Sequence, residues 1–294
     1  MSRKSRDWLI GTGIAAATLL LVYGIAQYNY QKRHYEGLGL SIKGDKVAIV
    51  DISGVIYDSQ RTVRQIEEYG EQKSIKAILL RIDSPGGVVA PAQAVYHAVK
   101  TVRDSGKPVI ASMGAMAASG GYYIACGADT IMAAPGTTTG SIGVIAEFIN
   151  TGGLLDKIGV KFEVIKSGRF KDSGSPYRDM TPAERRYLQS WVDDAYDQFV
   201  RTVMEERKLS KAEVDRVADG RVFTGRQARE LGLVDCLGYF PDAVDLAVEM
   251  AGIDGEPTLV RQRSRGVSLF DLLFEQAEHI LRGGRGAQLK YLHQ

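Results

Sequence analysis

The chain has 294 residues, 45% hydrophobic and 24% charged, an ordinary globular composition with room for one large domain or two modest ones. Its 37 basic and 35 acidic residues nearly cancel, which leaves no electrostatic footprint for nucleic acid and sets that class aside. Cys126 and Cys236 form neither a metal-ligand spacing nor a disulfide framework and read as small hydrophobes; nothing in the sequence calls for a metal or a cofactor.

The pattern along the chain begins with an uncharged run, Trp8 to Ala26, of 19 residues. About 20 suffice to cross a bilayer as a helix. Arg3, Lys4 and Arg6 precede it, so the positive-inside rule puts the N-terminus in the cytoplasm and the rest of the chain outside. The length of the run, and small residues Ala15 and Ala17 in its middle and not at its end, favour an uncleaved anchor over a cleaved signal peptide. The expected organisation is a start and anchor over 1–28, a tether over 29–44, one domain over 45–255, and a C-terminal helix and tail over 256–294.

From Val47 short apolar runs alternate with helical stretches. Segments 46–51, 75–82 and 108–111 read as buried strands, with 130–133 and 161–165 as weaker ones. Residues 90–104 carry Ala94, Val95, Ala98, Val99 and Val102 on one helical face. Thr181-Pro182-Ala183-Glu184 is a capping box with proline at the first helical position, predicting a helix to about residue 207. Thr224 caps a shorter helix ending near Gly232, and another covers 241–250. The stretch 266–282 is amphipathic and predicts a further helix. Strands alternating with helices predict an α/β domain with mostly parallel strands.

Three glycine-rich segments interrupt this pattern. Asp83-Ser84-Pro85-Gly86-Gly87 makes a tight turn after a strand, either a plain loop or a place where free amides meet a substrate oxygen. Gly114 to Tyr123 surrounds one serine, Ser119, with small residues at a strand-to-helix turn, the setting of either a nucleophile or a helix cap. The third segment, Ser167 to Pro176, is flanked by Lys166 and contains Lys171. A serine nucleophile needs a base. His34 lies in the tether, His279 and His293 in the tail, and His97 on a helix between apolar positions. A Ser-His-Asp triad is poorly supported, which leaves a lysine made neutral by burial.

The ordered set Asp83-Ser84-Pro85-Gly86-Gly87, Ala118-Ser119-Gly120-Gly121-Tyr122-Tyr123, Thr139-Gly140-Ser141-Ile142-Gly143-Val144 and Ser167-Gly168-Arg169-Phe170-Lys171-Asp172 resembles the signal peptide peptidase A family, bacterial membrane-bound Ser-Lys peptidases of the Clp protease/crotonase fold. The stretch from Gly220 to Asp235 is similar to that family too, and the length matches its short form. The resemblance implies a spiral of ββα units. It implies Ser119 as nucleophile, Lys171 as general base, Ser141 as the hydroxyl that orients the lysine, and the N–H groups of Gly87 and Gly120 as oxyanion hole. It further implies a ring-shaped homo-oligomer in the bacterial cytoplasmic membrane. There, adjacent subunits share the dyad, and the substrates are peptides, chiefly signal peptide remnants. A crotonase-like acyl-CoA enzyme and a catalytically inactive tethered scaffold are the rival readings. Neither needs Ser119 and Lys171 in intact motifs.

Overall fold

The computed structural model describes residues 45–262 and 290–292. Lys46–Ser53 (β1), Ile75–Ser84 (β2) and Val109–Ala118 (β4) are the long strands, and they pair in parallel. Gly86–Val88 (β3) follows β2 after one residue. The shorter strands are Thr130–Ala133 (β5), Thr138–Gly140 (β6), Val222–Thr224 (β7), Cys236–Leu237 (β8) and Thr258–Arg261 (β9). The sheet runs β7-β6-β4-β2-β1-β9, with β5 on β4 and β8 on β5, and only the β6–β7 pair is antiparallel.

Helices cover both faces, which explains why the strands read as nearly continuous apolar runs. On one face Ala48, Val50, Ile78, Leu80, Ala111 and Ile131 pack with Gln60–Glu71 (α1), Val89–Asp104 (α2), Gly120–Ala125 (α3) and Pro182–Arg207 (α5). On the other, Val47, Ala77, Leu79, Ile110 and Met132 meet Ala243 and Ala247 of Phe240–Met250 (α8). Gly152–Lys157 (α4), Lys211–Asp215 (α6) and Gly225–Glu230 (α7) complete the set. The chain thus has a mixed α/β fold.

Both predicted caps form. Thr181 accepts from the Glu184 N–H while the Glu184 carboxylate accepts from the Thr181 N–H, and Thr224 and Gln227 do the same at α7. The expected strand at 161–165 is not one. Phe162, Val164 and Ile165 have strand-like character but join no strand among the described residues and lie exposed, with the Phe162 ring stacked on Tyr177. Ala94 of α2 is exposed, not part of its buried face. The apolar run 8–26, the tether and the helix expected over 266–282 lie outside the described residues; among those described, no helix is long and apolar enough to cross a membrane.

One buried carboxylate joins α2 to α5. Glu206 accepts from Tyr96 Oη at 2.6 Å, Lys100 Nζ at 2.8 Å and Arg103 Nη1 at 2.7 Å. Burial works to raise its pKa, but the hydrogen bonds from Arg103, Lys100 and Tyr96 outweigh it and hold the carboxyl at about 2. A depressed folded pKa contributes stability above the unfolded value, about 4.3 for glutamate, and loses it as pH falls towards the folded one. Glu206→Gln therefore destabilises the fold at pH ~7 in urea unfolding, and the gap from wild type narrows as pH is lowered from ~4.5 towards ~2. A gap independent of pH would contradict this assignment.

Candidate active site

Ser119 sits where β4 becomes α3, with φ 53° and ψ −115°. A residue with a side chain held there stores on the order of 1–3 kcal/mol of strain. The strain is held in place by register. Ala118 of β4 pairs with Gly140 of β6, the Ser119 N–H donates to Gly140 O at 2.8 Å, and the Ser119 carbonyl accepts from the Tyr123 N–H at 2.8 Å. The serine is fully buried, and its hydroxyl has no hydrogen-bond partner among the described residues. An orphaned buried hydroxyl costs about 1–3 kcal/mol, so its retention points to use in chemistry.

The same register puts Ser141 beside it, one residue beyond the β6 partner of Ala118. Ser141 also has positive φ, 51°, is buried, and donates its N–H to Arg221 O at 2.8 Å. It lines a cleft of about 680 Å³ with Gly143, Val192, Tyr196 and Asp219.

Gly87 lies in β3, bridged in parallel to Ile56. A Cβ there would stand 2.1 Å from Ile56 O, so no other residue fits. Ser84 fixes the preceding turn by donating to Gly54 O at 2.7 Å and accepting from the Gly86 N–H at 3.1 Å. Gly121 packs against that turn, its missing Cβ 3.0 Å from Ser84 O. Gly120 is the first residue of α3, where helix N–H groups have no acceptor within the helix. On the open side of β3, Lys290–Leu292 (β10) pairs antiparallel, with Tyr291 opposite Gly87.

The lysine segment is different in kind. Residues 160–166 form no regular element, and turns follow to Ser175. Lys171 is exposed and does not hydrogen-bond Ser119 Oγ. Lys166 is committed to an ion pair with Asp172. The Asp172 carboxyl is held below the usual carboxylate range by hydrogen bonds, first from Lys166 and then from Arg178. Ile149, Leu154, Ile158, Phe162 and Val164 around this segment are all exposed. The structure therefore brings Ser119 and Ser141 together, packs the glycine turn on the serine helix, and shows no hydrogen bond from Lys171 to the Ser119 hydroxyl. His97 is exposed on α2. The Arg178 contacts and the β3–β10 pairing carried no signal recognisable in the sequence.

Strain and the orphaned hydroxyl make one stability prediction. Ser119→Gly relieves both at once and raises the unfolding free energy by about 1 kcal/mol, read by denaturant titration. A lowered stability would mean that the hydroxyl is satisfied in the folded protein.

Comparison with known proteins gives the family. The profile described as "Peptidase family S49" matches residues 101–254, more than half of the chain, and that described as "Clp protease" matches residues 46–139. A Synechocystis protein named as a protease is 48% identical over 210 residues, 71% of this chain and 76% of the relative. An Enterococcus faecium protein named as signal peptide peptidase SppA is 40% identical over 189 residues, 64% of this chain and 55% of that one. Protease 4 of Salmonella typhi is 34% identical over 235 residues, 76% of this chain but 38% of that one. On the family profile and the Synechocystis relative together, the chain belongs to peptidase family S49 and is a serine peptidase related to signal peptide peptidase A.

Proposed function

We propose that this peptidase cuts peptide bonds with a Ser119–Lys171 dyad whose members come from adjacent copies of the chain in a ring-shaped homo-oligomer. The observation that carries the reading is the strained, buried Ser119 hydroxyl, which has no hydrogen-bond partner among the described residues, beside the exposure of Lys171 to solvent in its own chain. An exposed lysine is almost wholly protonated at neutral pH and accepts no proton. Burial at a subunit contact removes water and favours the neutral amine. The exposed apolar side chains between Ile149 and Val164 supply the surface such a contact would cover. Lys166 is already paired with Asp172, and Lys171 has no ion pair among the described residues, which favours Lys171 as the base.

In this mechanism Ser119 Oγ attacks the scissile carbonyl carbon as its proton passes to Lys171 Nζ. Negative charge develops on the carbonyl oxygen, against the N–H groups of Gly87 and Gly120. The resulting ammonium protonates the leaving amine, the C–N bond breaks, and an acyl-serine remains. Lys171 then takes a proton from water as the water attacks the ester carbonyl, and returns it to Ser119 Oγ as the acyl C–O bond breaks, which releases the acid and restores the free serine and neutral amine. Ser141 hydrogen-bonds the lysine amine and fixes its direction. The substrate lies extended along β3. The pairing of β10 with Gly86–Val88 supports this, because main-chain hydrogen bonds on that edge accept any sequence.

The apolar run 8–26 would anchor the ring in the bacterial cytoplasmic membrane, N-terminus inside and peptidase outside, close to membrane-embedded peptides. Signal peptide remnants are then the proposed substrates, in keeping with the name carried by the Enterococcus relative. Full-length protein in detergent is expected to hydrolyse apolar fluorogenic peptides. Ser119→Ala and Lys171→Ala should each lower kcat by about 10³-fold or more at unchanged assembly. Ser141→Ala, acting through the lysine, should cost about 10- to 100-fold. Retained activity in Lys171→Ala would place the base elsewhere.

A further inference from the structure

The segment carrying Lys171 has no strand or helix of its own to fix it. What holds it is an arginine fork. Arg178 donates from Nε to Asp172 Oδ2 at 3.2 Å and from Nη2 to the Asp172 carbonyl at 3.3 Å, and the Nη2–Oδ2 separation is 2.9 Å. The same guanidinium reaches Glu184 through Nη1 at 2.9 Å and Nη2 at 2.5 Å. Glu184 is buried and closes the capping box at the start of the 26-residue α5. Arg178 thus ties a rigid, core-packed helix end to both the side chain and the backbone of the residue directly after Lys171. An isolated exposed ion pair contributes little. A planar fork on two carboxylates, one of them buried, adds direction as well as energy.

We propose that Arg178, braced by Glu184 and gripping Asp172, is a positioning residue for Lys171; this rests on the reading of Lys171 as the base. The fork does two things. It fixes where the Lys171 backbone stands, and so where the amine is offered to the neighbouring copy. It also opposes, together with Lys166, the negative charge of Asp172, the residue next to Lys171 in the chain; Lys161, Glu163, Arg169, Asp179 and Glu184 are the other charged groups between residues 160 and 184. A negative charge left unopposed next to the base would favour its protonated, inactive form.

The test compares wild type, Arg178→Gln, Arg178→Lys and Lys171→Ala as full-length protein, with peptidase activity followed across pH. Arg178→Gln is expected to lower kcat by about 100-fold while KM moves less than about threefold. Its acid limb should shift to higher pH, because the cation that opposes the Asp172 charge next to the base in the chain has been removed. Arg178→Lys keeps the charge and loses the fork, so its acid limb should return to the wild-type position while kcat stays reduced. Arg178→Gln with wild-type kcat, or with raised KM and an unmoved acid limb, would overturn the proposal. If Arg178→Gln fails to fold, Asp172→Asn, which keeps the shape and leaves the Arg178–Glu184 pair, should show the kcat loss; wild-type kcat there would overturn it equally. An active Lys171→Ala would sink the assignment of the base itself, whereas an inactive Lys171→Ala beside an unaffected Arg178→Gln would sink the fork alone.

Discussion

A buried hydroxyl with no hydrogen-bond partner among the described residues, on backbone bent into positive φ, is the feature the rest of this structure serves. Left to itself Ser119 would relax. It is prevented by the β4–β6 register on one side and by the tight packing of α3 against the glycine turn on the other. Gly121 has to be small because Ser84 O lies against it, and Gly87 because Ile56 does. The serine segment and the glycine turn are in this sense one device: Gly121 leaves room for the backbone of the turn, and Gly87 seats that turn on the backbone of Ile56. The long parallel strands behind them, buried on both faces, give that device a rigid base.

Much of this was legible in the sequence, for physical reasons. Strands buried on both faces leave continuous apolar runs, so 46–51, 75–82, 108–111 and 130–133 were readable. Helix ends with a capping box are local events, so Thr181 and Thr224 announced α5 and α7. Ser119 stood out as the one serine among small residues at a strand-to-helix turn, a setting that a nucleophile shares with a helix cap, and the family resemblance of the motifs around it favoured the nucleophile. What stayed hidden depends on distant partners. Segment 161–165 has the composition of a strand, but no sheet edge receives it, and composition does not reveal a missing partner. Helix α1 is mostly polar, with Ile66 and Tyr69 buried, too sparse a stripe to stand out. The Glu184 cap was visible, but its second partner, Arg178, was not, since an arginine six residues upstream looks like any solvated charge. Spacing alone could not separate Lys166 from Lys171; the family resemblance favoured Lys171, and the ion pair of Lys166 with Asp172 is in keeping with that choice.

The two halves of the proposed dyad are held by opposite means. Ser119 is immobilised by core packing and sheet register, whereas Lys171 rides on a segment without regular structure, steadied by an arginine fork and by neighbouring turns. This difference has a chemical logic. A nucleophile must be placed within a fraction of an ångström. A lysine base must above all be dry, and its own chain leaves it wet. Burying it against another copy would couple activity to assembly, so that isolated chains would carry the serine without the means to ionise it.

The most direct test of this shared site is complementation between two dead subunits. Ser119→Ala and Lys171→Ala chains, carrying different tags, would be co-expressed and their mixed assemblies isolated through both tags in turn. If each site takes its serine from one copy and its lysine from the next, random mixing restores about a quarter of the sites, and activity reappears at about that level. If both residues of a site came from one chain, every site in the mixture would lack one of them. Mixed assemblies of proven composition would then stay inactive, and the account of a split Ser-Lys site would be wrong.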